Sequence, residues 1–291
     1  MKKEESMDKD KKNNFQFEKI CQDIKSLKIQ GAEQIARAAL KALEIRSDSK
    51  AVRKLISLRP TEPCLRNSIK YATSFYDIKI GVSETVKIMD IAREKIISCG
   101  ANMIPKNSTV FTHCHSGTVI SILLEAKRQG KKFQVYNTET RPNLQGRITA
   151  LELLKGGIPV TMFVDSASTA ALKGADIFLF GADAITSQGS VINKIGNKML
   201  AEIAEKYDVP SYSCTFSWKF DPKTTLGAIE KLESRKEKEV WPGKPPKLKI
   251  SNVVFEEVQP HLITGIISEL GVFSPDTFVS EFRIKYPALL D

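Results

Sequence analysis

Beyond Pro105 the chain alternates short β-branched or aromatic runs with stretches of helical period, and this alternation constrains its fold more than any other feature. The runs are STVFTH, KFQVYN, PVTMFV, DIFLFG, VPSYSC and ISNVVFEEV, and the helical stretches include TVISILLEAKRQG, GRITALELLKGG and NKMLAEIAEKYD. Strands separated by helices are joined by crossovers, so they lie parallel and need helices on both faces of the sheet. The expected class is α/β, with a doubly wound parallel sheet over residues 106–291. Before it, FEKICQDIKSLKIQGAEQIARAALKALEI and SETVKIMDIAREKIISCGANMI space apolar residues three and four apart, with Gly100 as a C-terminal stop. With no strand pattern there, residues 15–105 are expected to form a helical N-terminal domain. Residues 1–14 are polar and charged and are expected to be a disordered tail. The segment SRKEKEVWPGKPPKLK, 234–249, is too long for an ordinary connection, so it is mobile or functional.

Composition narrows the function classes. The net charge is +10, but lysines and glutamates are interspersed, and no aromatic-basic platform for stacking bases is present. A nucleic-acid partner is not expected, whereas anionic small molecules suit such a surface. The five cysteines are odd in number and widely spaced, which reads as reduced thiols. No apolar run approaches the roughly 20 residues that span a bilayer. A membrane role is not expected, and the N-terminal residues do not read as a secretory signal, so the expected location is cytoplasmic.

In an open parallel sheet, ligands bind at the carboxyl ends of the strands. The residues that follow the predicted strands are Cys114, His115 and Ser116; Thr138 to Pro142; Asp165 and Ser166; Gly181 to Ile185; and, after Cys214, a segment with Lys219. Core packing does not select for polar groups at five strand ends. Asp165 reads equally as a helix N-cap or a ligand contact. Asp183 follows an apolar strand, so desolvation is expected to raise its pKa and suit it to act as an acid. Cys114 reads either as an inert thiol or as a thiolate stabilised by helix N-terminal amides and nearby imidazoles. A metal is not expected at His113, Cys114 and His115. On a strand their side chains alternate faces, and His261 is the only other histidine. HSGTVI reads as a strand-to-helix turn, where exposed amides favour an anion. Arg59, Arg141, Lys194 and Lys219 offer cations. No G-x-G-x-x-G follows the first strand and no P-loop is present.

The motifs THCHSGT, TETRPNLQGRITALEL, GIPVTMFVDSA, GADAITSQGSVINKIGN and SWKFDP resemble one superfamily. It joins ribose-1,5-bisphosphate isomerase, 5-methylthioribose-1-phosphate isomerase and the α, β and δ subunits of translation initiation factor 2B. The likeness covers about residues 28–271, with LRPTEPCLRNSI and ISELG extending it beyond the sheet. It implies a helical N-terminal domain, a Rossmann-like C-terminal domain, and a homodimer or higher homo-oligomer. It also implies Cys114 and Asp183 as the acid-base pair of an aldose-ketose isomerase acting on a phosphorylated pentose without a cofactor, and admits AMP as an effector. The implied substrate contacts are Gly31, Ala32, Arg59, Ser116, Gly117, Thr118, Asn193, Lys194 and Lys219. HCHS is closer to the ribose-bisphosphate branch. Gln30 and Gly117, however, stand where that branch resembles RGA and HCHSKA, which removes two cations. Three alternatives follow: a ribose 1,5-bisphosphate isomerase, a regulatory subunit binding a nucleotide or sugar phosphate, and a methylthioribose-phosphate isomerase.

Overall fold

The computed structural model describes residues 2–26, 28–29, 31–227 and 234–290, and Gln30 lies outside them. The chain forms two compact units, residues 1–91 with 286–291, and residues 92–285.

The first unit is helical. Helix α1 (Lys2–Lys25) takes in the segment expected as a disordered tail, whose lysines and glutamates are good helix formers. Helix α2 (Ala32–Ile45) starts anew after Gly31, which has φ 85°, so the long periodic stretch is two helices. Asp48 caps α3 (Ser49–Leu58) by accepting from the Lys50 and Ala51 N–H groups, and Pro63 opens α4 (Pro63–Thr73). Phe17, Ile24, Ile35, Leu40 and Leu43 form its fully buried core.

Helix α5 (Ile78–Met103) runs through Gly100 instead of stopping there. A Cβ at Gly100 would lie 2.4 Å from Ile122 Cδ1, so this glycine serves close packing against α6 (Gly117–Arg128). The division between units falls within α5, at 91/92, and not at the expected 105/106, because one uninterrupted helix carries the chain across.

The second unit is the expected α/β domain. In chain order it contains β1 (Ser108–Thr112), α6, β2 (Phe133–Thr138), α7 (Gln145–Lys155), β3 (Val160–Phe163), α8 (Ser168–Lys173) and β4 (Ile177–Phe180). Next come β5 (Ala184–Ile185), β6 (Val191–Lys194), α9 (Asn197–Lys206), β7 (Ser211–Cys214), β8 (Phe255–Val258), β9 (Gly265–Ser268), β10 (Gly271–Phe273) and α10 (Pro275–Lys285). The main sheet has the order β10-β9-β7-β4-β1-β2-β3, parallel except for the β9–β10 pair. Central strands β1 and β4 are buried throughout, as strands covered on both faces must be. Phe178 packs between Phe111 and Phe180, with ring centroids 5.3 and 5.0 Å away. Each such buried ring contributes on the order of 2–3 kcal/mol.

The run ISNVVFEEV does not join this sheet. Its strand β8 pairs antiparallel with β6 in a small sheet ordered β5-β6-β8. The sixth parallel strand is instead β9, four buried residues between a threonine and a tight turn, too short to carry a period. Among the described residues, no helix is long and apolar enough to cross a membrane.

Candidate active site

The chain leaves β1 toward β2 and β3 on one side and returns to β4 on the other, so the strand order reverses between β1 and β4. A crevice at the carboxyl ends of two such strands is where ligands bind in open α/β sheets. His113 to Ser116 follow β1 and Gly181 to Asp183 follow β4, so Cys114 and Asp183 flank this point. A Cβ at Gly181 would lie 2.9 Å from Ser116 Oγ, so glycine lets the two turns touch.

Cys114 sits in the left-handed region, with φ 66°. A non-glycine residue there needs support. Its N–H donates to Thr140 Oγ1 at 2.9 Å, and its carbonyl accepts from Thr149 Oγ1 at 2.8 Å. Since the Thr149 proton is used in that bond, His115 Nδ1 must carry the proton it shares with Thr149 Oγ1 at 3.2 Å. Asp165 supports the same arrangement. Its carboxylate accepts from the Thr140 N–H at 2.8 Å and the Arg141 N–H at 2.7 Å. It therefore clamps the TETRP loop that orients Cys114.

His113 is a neutral strut. Its Nε2 donates to the Ile195 carbonyl at 3.0 Å, so Nδ1 accepts from the Thr138 hydroxyl. Burial lowers its pKa to about 4, against the pull of the Ile195 carbonyl and Asp165. His113 is therefore a neutral imidazole at neutral pH and brings no positive charge to Cys114. Burial pushes the Cys114 thiol up to about 12, the His115 N–H and Lys194 pull it down, and Asp183 and Asp165 push it further up. Of the two states left open by the sequence, Cys114 is a thiol at rest, because desolvation outweighs the N–H and the cation.

Asp183 lies at the start of the β5–β6 hairpin, its N–H bonded to the Ile192 carbonyl at 2.8 Å. Its Oδ2 accepts from Asn193 Nδ2 at 2.8 Å, and Asn193 Oδ1 accepts from Asn197 Nδ2 at 2.6 Å. Lys194 is only 4% exposed. Burial disfavours its charge, while Cys114, Glu239 and Asp183 favour it and Arg235 opposes it. One ammonium thus lies within electrostatic range of both Cys114 and Asp183. Lys219 Nζ donates to the Ala182 carbonyl at 2.6 Å, and Arg141 Nη2 to the Val240 carbonyl at 2.9 Å.

Two helices begin near these groups. Glu256 Oε1 accepts from the Gly196 and Lys198 N–H groups at 2.6 and 2.8 Å, so α9 already holds a carboxylate at its N-terminus. At α6 the Ser116 hydroxyl accepts from the Val119 N–H at 3.4 Å, and a Cβ at Gly117 would meet nothing within 4 Å. The open turn is therefore the one at Gly117 and Thr118.

Cys114, Ser116, Gly117, Thr118, Arg141, Asp183, Asn193, Lys194 and Lys219 all belong to the α/β unit and lie near its strand ends. Gly31, Ala32 and Arg59 belong to the helical unit. There Gly31 precedes α2, Ala32 is buried, and Arg59 pairs with Glu62 at 3.2 Å. The sequence reading named Thr140 only within the range Thr138 to Pro142, without a role, and missed Thr149, Asn197, Arg235 and Glu239. Thr140 lies within a quoted motif, but hydroxyls that support a backbone turn carry no pattern of their own. Among the described residues, no group of three His, Cys, Asp or Glu side chains is placed to hold a metal ion.

Comparison with known proteins gives a consistent picture. A ribose 1,5-bisphosphate isomerase of Methanocaldococcus jannaschii is 37% identical over 87% of this chain and 89% of its own. Another, of Thermococcus kodakarensis, is 33% identical over 92% and 94%. The crystal structure of translation initiation factor eIF-2B of Pyrococcus horikoshii OT3 superposes with a TM-score of 0.82 at 26% identity, covering 90% of this chain and 98% of that one. The family profile matches residues 28–275, and the chain belongs to the initiation factor 2 subunit family.

Proposed function

We propose that the chain is an aldose-ketose isomerase of a pentose 1-phosphate, converting ribose 1,5-bisphosphate to ribulose 1,5-bisphosphate. The observation that carries this reading is the pairing of Cys114 and Asp183 across the β1–β4 switch point, with Lys194 in electrostatic range of both. The isomerase relatives supply the substrate class.

Turnover needs a neutral Asp183 as the acid and the Cys114 thiolate as the base, with Lys194 stabilising that thiolate against the desolvation that favours the thiol at rest. Asp183 then protonates the ring oxygen as the bond from that oxygen to C1 breaks. The thiolate takes the proton from C2, leaving a C1–C2 enol that keeps its phosphate. Asp183 recovers a proton from the C2 hydroxyl as it becomes the ketone, and Cys114 returns its proton to C1. Atoms and charge balance without a redox step. Ser116 to Thr118, Arg141, Asn193, Lys194 and Lys219 bind the phosphates and hydroxyls in this reading. The roles that the resemblance gives Gly31, Ala32 and Arg59 belong to the same proposal, as do a homo-oligomer and AMP as effector.

A second reading is a regulatory protein that binds a sugar phosphate or nucleotide without turnover. The half-buried, protonated Cys114 thiol and the likeness to eIF-2B favour it. Phosphorus and proton NMR of the purified protein with ribose 1,5-bisphosphate, with and without AMP, separates the two. Ribulose 1,5-bisphosphate formed by the wild type and lost in Cys114→Ser and Asp183→Asn supports the isomerase. Line broadening without turnover favours the regulatory protein.

A further inference from the structure

Asn197 opens α9 with its side chain wholly buried, and it takes no part in the proton transfers. Burying an amide is unfavourable unless its polar atoms are hydrogen-bonded. Here only one end of the amide is satisfied. Its Nδ2 donates to Asn193 Oδ1 at 2.6 Å and to the Lys194 carbonyl at 3.1 Å, while its Oδ1 has no hydrogen-bond partner among the described residues. An unmet buried acceptor costs about 1–3 kcal/mol. What the chain gains from this side chain is therefore its two donated hydrogen bonds.

Those bonds settle the orientation of a second amide. A main-chain carbonyl only accepts, so the Asn197 atom that faces Lys194 is the nitrogen. The same nitrogen faces Asn193, so the Asn193 atom it meets is the oxygen. Asn193 is then bound to present its own nitrogen to Asp183, 2.8 Å from Oδ2. The backbone beneath is fixed as well. Glu256 Oε1 accepts from the Gly196 and Lys198 N–H groups on either side of Asn197, and Glu256 stands opposite Asn193 across the β6–β8 ladder.

We propose that Asn197 is a positioning residue for the isomerisation, which acts through Asn193 to hold the Asp183 carboxyl with Oδ2 as an acceptor.

The consequence is chemical. In a neutral carboxylic acid one oxygen carries the proton and the other is the better acceptor. An N–H held against Oδ2 makes Oδ2 the acceptor and keeps the acid's proton off it. The two oxygens of Asp183 are then not interchangeable when it protonates the ring oxygen and recovers a proton from the C2 hydroxyl. Without Asn197 the Asn193 amide can turn over. Its oxygen would then accept an O–H from Oδ2 and draw the proton away from the substrate.

The inference deepens the proposed function and rests on Asp183 being its acid. The test is steady-state turnover of ribose 1,5-bisphosphate by the full chain, with thermal unfolding measured alongside. The proteins are wild type, Asn197→Ala, Asn193→Ala, the double variant and Asn197→Asp. Asn197→Ala is expected to lower kcat about 10- to 100-fold, as misplacement of a reacting group does, with KM within about threefold. In the Asn193→Ala background the same substitution should change kcat by no more than about twofold, because the group it acts through is gone. Asn197→Asp keeps the side-chain volume, but its carboxylate can only accept, so it imposes the turned-over Asn193 amide. Its kcat should fall at least as far as that of Asn197→Ala. A wild-type kcat in either Asn197 variant would overturn the inference and leave the isomerase standing. So would a raised KM at unchanged kcat, or an equal loss in the Asn193→Ala background, which would assign Asn197 to the scaffold. Absence of turnover in the wild type would overturn both.

Discussion

The main-chain N–H of Cys114 donates to the Thr140 hydroxyl at 2.9 Å, and both residues occupy the left-handed region, at φ 66° and 62°. Two turns from neighbouring parallel strands thus hold each other in backbone conformations that neither would keep alone. Asp165 closes the arrangement from a third strand. Thr140→Ala removes the acceptor and leaves the Cys114 N–H unpaired. The expected result is a kcat lowered about 10- to 100-fold by misplacement of the sulfur, with KM little changed. The stability loss should be about 1 kcal/mol. Thr140→Ser keeps the acceptor and should recover most of the rate. Equal rates for the two variants would show that this hydrogen bond does not position the thiol.

The buried His113 sets a pH limit on stability. Its folded pKa is depressed from 6.5 to about 4, so between those values the unfolded chain binds the extra proton. Stability from this group is complete above about pH 6.5 and is lost as pH falls. The decline should reach roughly 1.4 kcal/mol per pH unit and total on the order of 3 kcal/mol by pH 4. Urea unfolding at half-unit steps from pH 4 to 8 checks this against His113→Gln, whose curve should be flatter in that window. Identical slopes would assign the acid sensitivity to other groups.

Much of this arrangement was legible in the sequence. The alternation of runs and helical stretches gave the parallel sheet, reading the residues after each strand gave Cys114, Asp183 and Lys219, Lys194 stood out as a cation, and Asn193 came from the family resemblance. What escaped had physical reasons. Strands β5 and β9 are two and four residues long, too short for a period to declare itself. Gly100 resembles a helix stop, yet its purpose is contact with Ile122, a long-range fact invisible in a local window. The protonation of Cys114 depends on how much protein surrounds the sulfur, and the helix start beside it suggested the opposite sign. Thr140 and Thr149 act through hydroxyls on a strained backbone, which only coordinates reveal.

The thiol of Cys114 should react slowly at neutral pH. With its pKa pushed up to about 12, the thiolate fraction should rise about tenfold per unit across the whole range from pH 7 to 10. An ordinary thiol, with a pKa near 8.5, would level off within that range. Iodoacetamide labelling followed by peptide mass mapping measures the rate at this residue. Lys194→Gln removes a group that pulls the pKa down, so its labelling should be slower still. A rate that levels off near pH 9 would mean the sulfur is less desolvated than its surroundings imply.

Gly181 and Gly117 lie on facing turns and should respond oppositely to the same substitution. In Gly181→Ala the new Cβ would lie 2.9 Å from Ser116 Oγ and 3.1 Å from Ser116 Cβ. Rotating the hydroxyl relieves only the first contact, so the turn that carries Gly117 and Thr118 must move. A forced shift in a packed region costs about 1–3 kcal/mol. Because that turn is the proposed phosphate cradle, KM should rise about tenfold, with a smaller change in kcat. In Gly117→Ala the new Cβ meets nothing within 4 Å, and alanine favours the first turn of α6. That variant should gain up to about 1 kcal/mol in stability. Steady-state kinetics and thermal unfolding of the pair test the account together. A Gly181→Ala protein with unchanged KM would separate the turn at Ser116 from phosphate binding, whatever its stability.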